Sequence, residues 1–164
     1  MREPAADAGP AADDPVPRFL ADAMLGRLAR WLRILGYDTR YLRDMPDEEV
    51  IRLARAEGRV ILTRDRELCR RRGVQALWVV STDLDEQIRQ VVATLDLDIR
   101  HSFRRCVVCN TPIENIPRVR ARPLVPAYVY RTQVVFGQCS TCGRVYWRGT
   151  HWAHMAERLQ DWGI

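Results

Sequence analysis

The sequence predicts an α/β fold, in which helices flank a parallel sheet, followed by a small cysteine-rich module. Before residue 100, short apolar runs that suit buried strands alternate with helical patterns four times. Such alternation requires a parallel sheet with right-handed crossovers. The second half of the chain carries two Cys-x-x-Cys pairs instead. With 164 residues and 47% hydrophobic composition, the chain can bury one core and support one domain with an annex.

The individual elements follow from local patterns. The clearest helix places leucines and a tryptophan on one face and arginines on another. Gly36, Gly58 and Gly73 are expected to end three of the helices. We expect strands at 19–21, 37–42, 60–62 and 74–80, and helices at 24–35, 44–57, 66–72 and 84–95.

Acidic side chains follow the predicted strands. The carboxyl ends of parallel strands meet at one edge of a sheet, where ligands bind. Clustered carboxylates repel one another unless a cation neutralises them, and oxygen ligands select magnesium or manganese. Two such ions activate water and stabilise the leaving oxygen of a phosphodiester, so the pattern predicts a nuclease site. The acids in question are Asp22, Asp65 and Asp83, with Asp44, Asp47 and Glu48 after the second strand.

The alternative interpretation is that these acids cap helices, which aspartate after a strand commonly does. Asp83, in Ser-Thr-Asp, most resembles a cap, and Asp44 most resembles a loop acid. The sequence offers no Gly-rich phosphate loop, nucleophile elbow or Walker lysine as a competing site.

The charge of the chain favours a polyanionic partner. The net charge is +5, the pI is about 9.3, and all 26 basic residues are arginine. Residues 1–17 are predicted to be a disordered tail. One arginine against four acids gives this tail a charge of −3, which leaves +8 for the rest. Arginines at 64, 66, 70, 71 and 72 cluster beside the predicted acidic site, where they suit phosphates, although a solvated helix surface explains some of them.

The cellular compartment is predicted from the lack of membrane and signal sequences and from the cysteine pairs. No run approaches the ~18 apolar residues of a membrane helix, and the first residues lack the pattern of a signal peptide. Cys-x-x-Cys pairs are typical of reducing compartments, where they bind metal. We therefore expect a cytoplasmic protein without a membrane partner.

The two cysteine pairs predict a closed, structural zinc site. The pairs are Cys106 with Cys109 and Cys139 with Cys142, separated by 29 residues. Four thiolates in two such loops form a tetrahedral zinc ribbon, and the residues after each pair, Asn110 and Gly143, suit its tight turns. A module of this size should depend on its metal to fold. Between the pairs, residues 128–136 are predicted to be a strand.

The remaining cysteine, histidine and tryptophan side chains each allow a functional and a structural interpretation. Cys69 is expected to be a small apolar residue on a helix rather than a reactive thiol. His151 and His154 are expected to contact RNA or solvent, since four cysteines complete the zinc site. Trp147 and Trp152 stack bases or, alternatively, pack the ribbon against the α/β domain.

Residues 19–33 and 62–66 resemble the two signature blocks of a family, the PIN-like ribonuclease domain named after the C-terminal part of the exoribonuclease Mut-seven (Mut7-C). The resemblance extends over residues 18–155 and includes the zinc ribbon. It implies a PIN-like fold and metal-dependent RNA cleavage, with Asp22 and Asp65 as the central acids. It also implies that Asp47 is a second acidic position at a helix start and that Asp83 is the fourth acid. Some relatives carry a further domain upstream, where this sequence has a short acidic tail.

The sequence therefore predicts a ribonuclease in three parts: a tail at 1–17, a PIN-like nuclease domain at 18–99, and a zinc ribbon with a C-terminal segment at 100–164. We expect magnesium or manganese at Asp22, Asp47 and Asp65, with Asp83 as a further catalytic acid, and a single-stranded RNA substrate. The alternative is a non-catalytic RNA-binding zinc-ribbon protein, and a DNA-binding zinc protein is a third reading. The natural RNA, the choice between endo- and exonuclease, and the oligomeric state stay open, and no protein partner is indicated. The predicted RNA contacts are Arg27, Arg64, Arg66, Arg144 and Arg148.

Overall fold

Residues 17–162 are described by a computed structural model. The predicted disordered tail, apart from Pro17, lies outside these residues. The strands are β1 (Arg18–Ala21), β2 (Thr39–Tyr41), β3 (Arg59–Thr63), β4 (Ala76–Trp78), β5 (Ile113–Ile116), β6 (Phe136–Cys139) and β7 (Val145–Tyr146). The helices are α1 (Gly26–Ile34), α2 (Asp47–Glu57), α3 (Arg66–Cys69), α4 (Leu84–Leu95), α5 (Arg118–Ala121), α6 (Ala127–Thr132) and α7 (Thr150–Asp161), with 3₁₀ turns at Ala23–Leu25, Ile99–His101 and Arg122–Leu124.

The first four strands form one parallel sheet in the order β2-β1-β3-β4. Strand alternation divides its side chains between two apolar layers. Phe19 and Ala21 of β1 pack with α1 and α4, whereas Leu20 packs with α2 and α3 on the other face. The predicted α/β fold is therefore confirmed, and both faces of the sheet are covered by helices, as parallel sheets require.

The ends of the elements differ from the predictions by a few residues. Gly58 ends α2 in the left-handed conformation, with a φ of 61°, as expected from its position. The predicted helix at 24–35 begins instead as the 3₁₀ turn Ala23–Leu25 and continues as α1. The strand predicted at 74–80 is shorter and spans Ala76–Trp78.

The strand predicted at 128–136 is wrong. Residues 127–132 form α6, and the next strand, β6, begins only at Phe136. Pro126 starts the helix, and its carbonyl accepts a hydrogen bond from the backbone N–H of Tyr130 at 3.0 Å. Only Val129 of this helix is buried, and it packs into the small core of the ribbon. This packing outweighs the preference of the neighbouring tyrosines for strands.

The ribbon forms a second sheet, which is antiparallel in the order β5-β6-β7. Its core contains Ala121, Val129 and Phe136. This core is much smaller than that of the α/β sandwich, so the ribbon has little apolar burial to stabilise it.

The last helix returns from the ribbon to the α/β sandwich. Leu159 at the end of α7 and Trp162 beyond it belong to the same apolar core as α1 and α4. Trp162 meets Trp31 edge to face, with ring centroids 4.8 Å apart, and Arg158 forms an ion pair with Asp85 at 2.5 Å. The ribbon thus lies, along the chain, between two helices that share one core. The predicted domain boundary at residue 99 remains a prediction. The helix α7 lies after this boundary in the chain but packs on the α/β domain before it.

No helix within residues 17–162 combines the length and apolarity needed to cross a bilayer.

Candidate functional site

The predicted acids follow four neighbouring strands at the carboxyl edge of the parallel sheet. After β1 the chain moves to β2 on one side, whereas after β3 it moves to β4 on the other side. The sheet therefore has a switch point between β1 and β3, which is where open α/β sheets bind ligands. Asp22 directly follows β1, and Asp65 lies two residues beyond β3, so these two acids flank the switch point.

Asp22 is half-buried and held by hydrogen bonds to both of its oxygens. Oδ1 accepts a hydrogen bond from the backbone N–H of Met24 at 3.0 Å, which caps the 3₁₀ turn. Oδ2 accepts a short hydrogen bond from the hydroxyl of Thr63 and another from the backbone N–H of Arg64 at 3.3 Å. The carboxylate of Asp22 is thus fixed against the end of β3.

Asp65 is exposed and is held by the same threonine. Its backbone N–H donates to Thr63 Oγ1 at 2.9 Å, while its Oδ1 accepts from the backbone N–H of Glu67 at 2.7 Å and caps α3. Its Oδ2 has no hydrogen-bond partner among residues 17–162. The fully buried Thr63 side chain therefore links the two acids, and the second oxygen of Asp65 remains available to a ligand.

Thr63 was not among the residues singled out from the sequence. The available signal was a hydroxyl residue directly after the buried apolar run 60–62, where an unpaired hydroxyl is costly.

The two outer acids occupy different local roles. Asp83 Oδ1 accepts from the backbone N–H groups of Asp85 and Glu86 at 3.0 and 3.1 Å, so Asp83 is the N-cap of α4. Asp47 lies in the first turn of α2 with two glutamates. Within residues 17–162, the structure does not bring three of these acids close enough to share one ion. Asp47 and Asp83 are therefore neighbours of the switch point along the edge rather than members of a compact cluster with Asp22 and Asp65.

A stacked arginine and tryptophan lie beside Asp65. The guanidinium of Arg66 sits 3.9 Å from the ring centroid of Trp78, a cation–π contact. These two residues, with Cys69 and Arg70, line a shallow cavity of about 400 Å³. Trp78 was not singled out from the sequence, because its position at the end of β4 beside α3 depends on the strand order.

Cys69 lies close to both acids at the switch point. Burial raises the pKa of its thiol, and the negative charges of Asp65 and Asp22 raise it further. A thiol with a raised pKa stays protonated near neutral pH and is a poor nucleophile. The interpretation of Cys69 as an unreactive residue on α3 agrees with this environment.

The remaining predicted RNA contacts are distributed along the surface. Arg27, Arg144 and Arg148 are exposed, whereas the buried Nε of Arg64 has no hydrogen-bond partner among the described residues. Trp152 packs against Phe103 with ring centroids 5.1 Å apart, and Trp147 lies against the ribbon core. Trp152 thus contacts a residue that packs on the α/β core, as the alternative interpretation expects, whereas Trp147 packs within the ribbon itself.

The four cysteines form a group that suits one zinc ion. All four sulfurs lie within 4.8 Å of one another, and the Sγ atoms of Cys106 and Cys142 are 3.8 Å apart. Two sulfurs at about 2.3 Å from one tetrahedral zinc ion are about 3.8 Å apart. Within residues 17–162 this is the single group of three or more His, Cys, Asp and Glu side chains arranged to hold a metal. His151 and His154 lie exposed on α7 and do not belong to it.

One of the four thiols, that of Cys106, has a lowered pKa. Burial raises the pKa of Cys106, but hydrogen bonds from the hydroxyl of Tyr146, at 3.0 Å, and from backbone N–H groups outweigh it and lower the pKa to about 6. Since adjacent thiolates repel one another, a bound cation is needed before all four can ionise.

The turns after both cysteine pairs have the predicted conformation. Asn110 and Gly143 adopt positive φ values of 65° and 73°. Their backbone N–H groups donate to the carbonyls of Cys106 and Cys139, each at 2.9 Å. The two halves of the zinc site are thus built alike, and four thiolates in such turns fit a structural zinc.

The first cysteine turn is fastened to the α/β sandwich. Arg33 of α1 donates to the carbonyls of Val107 and Val108, each at 3.0 Å. The Asn110 side chain donates to Asp38 Oδ1 at 2.7 Å and accepts from the backbone N–H of Thr39 at 2.9 Å. The position of the ribbon therefore depends on the conformation of this cysteine turn.

Comparisons with known proteins identify the family of the chain. A family model described as the Mut7-C RNAse domain matches residues 17–159. A human protein described as an exonuclease mut-7 homolog is 36% identical over 101 residues, which cover 57% of this chain and 12% of that protein. No solved structure matches the chain significantly. Both descriptions suggest a nuclease, and because the family match spans nearly all described residues, the chain belongs to the Mut7-C RNase domain family.

Proposed function

We propose that the protein is a metal-dependent ribonuclease that hydrolyses phosphodiester bonds in single-stranded RNA. The observation that carries this proposal is the pair of aspartates at the switch point: Asp22 and Asp65 follow two adjacent central strands and are joined through the hydroxyl of Thr63. The family match supports RNA as the substrate class.

The residues at the switch point suit magnesium or manganese. These cations prefer carboxylate oxygens, and Asp65 Oδ2 is exposed without a hydrogen-bond partner among residues 17–162. Asp22 is fixed in orientation by Thr63, and Asp47 and Asp83 add negative charge on either side. When bound, the cation would activate water and stabilise charge on the phosphate.

The other residues serve to hold the strand of RNA. Arg64 and Arg66 lie beside Asp65 and can pair with phosphates, because a guanidinium presents a planar fork of donors. The exposed Arg27, Arg144 and Arg148 extend the positive surface onto α1 and the ribbon. The zinc ion has a structural role, in which it holds the ribbon that carries two of these arginines.

The alternative is a non-catalytic RNA-binding protein, and one observation favours it. Asp22, Asp65 and Asp83 each accept a hydrogen bond from the backbone N–H two residues later, as helix caps do. In that case the acids stabilise the fold, their charge is not needed for activity, and the arginines and ribbon bind RNA without cleaving it.

Asparagine variants separate the two functions. Asparagine caps a helix about as well as aspartate, so Asp65→Asn preserves the cap while removing the charge. The assay is cleavage of an end-labelled single-stranded RNA with manganese, alongside RNA affinity measured by fluorescence anisotropy without a divalent cation. Asp96→Asn is the matched control, since Asp96 is exposed at the far end of α4 and has a left-handed φ of 49° that asparagine tolerates.

We expect Asp65→Asn and Asp22→Asn to lose cleavage while RNA affinity is preserved. Loss of several kcal/mol of metal-derived stabilisation corresponds to a decrease of about a hundredfold or more in rate. Asp96→Asn should cleave as the natural protein does. If Asp65→Asn cleaved RNA with manganese at an unchanged rate, the assignment of Asp65 to the catalytic site would be refuted. If the natural protein and all variants bound RNA without cleaving it, the protein would be a non-catalytic RNA-binding protein.

A further inference from the structure

A cleft opens at the amino edge of the parallel sheet, opposite the acids at the switch point. It has a volume of about 580 Å³ and lies between the start of β1, the ends of α1 and α2, and the segment that leads into the ribbon. Arg18, the first residue of β1, lines it, whereas Asp22 lies beyond the other end of that strand. Four residues of strand separate the two sites by about 13 Å.

The acids on the wall of the cleft are already paired. Asp38 accepts hydrogen bonds from Arg59 at 2.8 Å and from Asn110 at 2.7 Å. Glu57 accepts from Arg59 at 2.5 Å and forms an ion pair with Arg40. Burial raises the pKa of Asp38, but the hydrogen bonds from Arg59 and Asn110 outweigh it and lower the pKa below its usual value. Both carboxylates therefore stay ionised, and their negative charges are neutralised by arginines of the protein itself.

The cations on the wall have no such partners. The guanidinium groups of Arg18 and Arg104 form neither a hydrogen bond nor an ion pair with any residue from 17 to 162, and both side chains belong to exposed residues. Arg105, by contrast, is half-buried and fixed in place, because its Nε donates to the carbonyl of Gly36 and its Nη1 to that of Asn110. One anchored arginine and two arginines without a partner among the described residues thus line a concave space, as does His101.

We propose that this cleft binds a phosphate group, carried either by a strand of RNA or by a free nucleotide. Guanidinium groups match phosphate oxygens in geometry and charge, and three arginines line a cleft whose two lining carboxylates, within residues 17–162, are already paired. The volume falls in the range of small-ligand sites. Because no phenylalanine, tyrosine or tryptophan lines the cleft, it recognises phosphate rather than stacking a base.

The site is independent of the proposed cleavage. It lies at the other edge of the sheet, uses none of the acids or arginines at the switch point, and requires no divalent cation. A strand of RNA held here would be bound to the face shared by the sandwich and the ribbon, while a free nucleotide would occupy the cleft alone.

The test is binding by the full, zinc-loaded chain in the absence of divalent cations. The double variant Arg18→Gln with Arg104→Gln removes the two unpaired guanidiniums without breaking a hydrogen bond of the described residues. Arg52→Gln with Arg89→Gln is the charge-matched control, since both residues are exposed, on α2 and α4, and the change removes only the exposed ion pair of Arg52 with Glu49. The probes are a fluorescein-labelled 12-nucleotide RNA, followed by anisotropy, and adenosine monophosphate, followed by amide chemical shifts.

We expect the double variant to bind the RNA at least tenfold more weakly than the control variant at equal melting temperature. The slope of log affinity against log salt should fall by about 0.7 for each lost phosphate contact. Shifts caused by adenosine monophosphate at residues 101–105, lost in the double variant, would identify a site open to free nucleotides. Weaker RNA binding without any binding of the nucleotide would identify the RNA strand as the ligand. Equal affinity of the double variant and the control for both probes would overturn the proposal.

Discussion

Thr63→Val tests whether the buried hydroxyl is what positions the two acids at the switch point. The change replaces the hydroxyl by a methyl group of similar size in a side chain that is 0% exposed. It removes the hydrogen bond to the carboxylate of Asp22 and the acceptor for the backbone N–H of Asp65. The first hydrogen bond is to a charged carboxylate, and loss of the second leaves the backbone N–H of Asp65 without an acceptor.

The expected destabilisation follows from these two losses. A hydrogen bond to a charged group contributes about 1.5–3 kcal/mol and a neutral one about 1 kcal/mol, so the free energy of unfolding should fall by about 2–4 kcal/mol. For a chain of this size the melting temperature should fall by about 2–4 °C for each kcal/mol. The rate of RNA cleavage should fall at least about tenfold, since the carboxylate of Asp22 loses one of its hydrogen bonds and the backbone of Asp65 loses the acceptor that places it.

The assay combines thermal unfolding followed by circular dichroism with RNA cleavage measured well below the melting temperature. Thr63→Ser is the control, because it keeps the hydroxyl and loses only a methyl group, at a cost of about 1 kcal/mol. If Thr63→Val cleaved RNA as fast as Thr63→Ser, the threonine would not position the acids, and the reasoning would be refuted.

Three further predictions concern the metal, the pH dependence and the last helix. The chain should carry one zinc ion, and chelation should unfold the ribbon, because structural zinc contributes about 10–16 kcal/mol to such modules; a Cys139→Ser chain with undiminished zinc content, measured colorimetrically, would contradict this. The pKa of Asp38 is held below its usual 3.8, so its contribution to stability is complete above that value and is lost as the pH falls through the folded pKa. Urea unfolding of Asp38→Asn should therefore change less than that of the natural protein as the pH is lowered from about 5 towards 3; equal pH dependence would argue against the network of Asp38. Trp162→Ala should lower the free energy of unfolding by about 3–5 kcal/mol, because the side chain is 6% exposed and packs on Trp31; a change below 1 kcal/mol would show that the end of the chain does not stabilise the core.

The features that sequence patterns predicted are those set by local chemistry. Buried strands such as β3 combine an uninterrupted apolar run with Gly58 before it and a polar tip after it. The turns of the zinc site follow from Asn110 and Gly143, which tolerate positive φ. Both signals act over a few residues, so no knowledge of the rest of the fold is required.

The features that the sequence did not reveal depend on contacts between distant residues. The role of Thr63 requires that β1 and β3 be neighbours, and the stack of Arg66 on Trp78 requires that β4 lie beside β3. The helix α6 was predicted as a strand because Tyr128, Val129 and Tyr130 favour strands in isolation. The helix is favoured over a strand by two features: it begins after Pro126, and Val129 alone of these three residues is buried.

The return of α7 to the α/β core predicts that a metal ion on the four cysteines would help to complete the fold of that core. The 54 residues between α4 and α7 form an open loop when the ribbon is unfolded, and closing a loop of that length costs about 3–4 kcal/mol in chain entropy. A metal ion bound by the four cysteines would remove this cost, because the folded ribbon fixes the two ends of the segment. In a zinc-depleted cell, α7 should therefore be the first helix to detach, which would expose Trp31 to solvent and to proteases. Faster amide hydrogen exchange in α7 after chelation would reveal this order, and unchanged exchange there would exclude it.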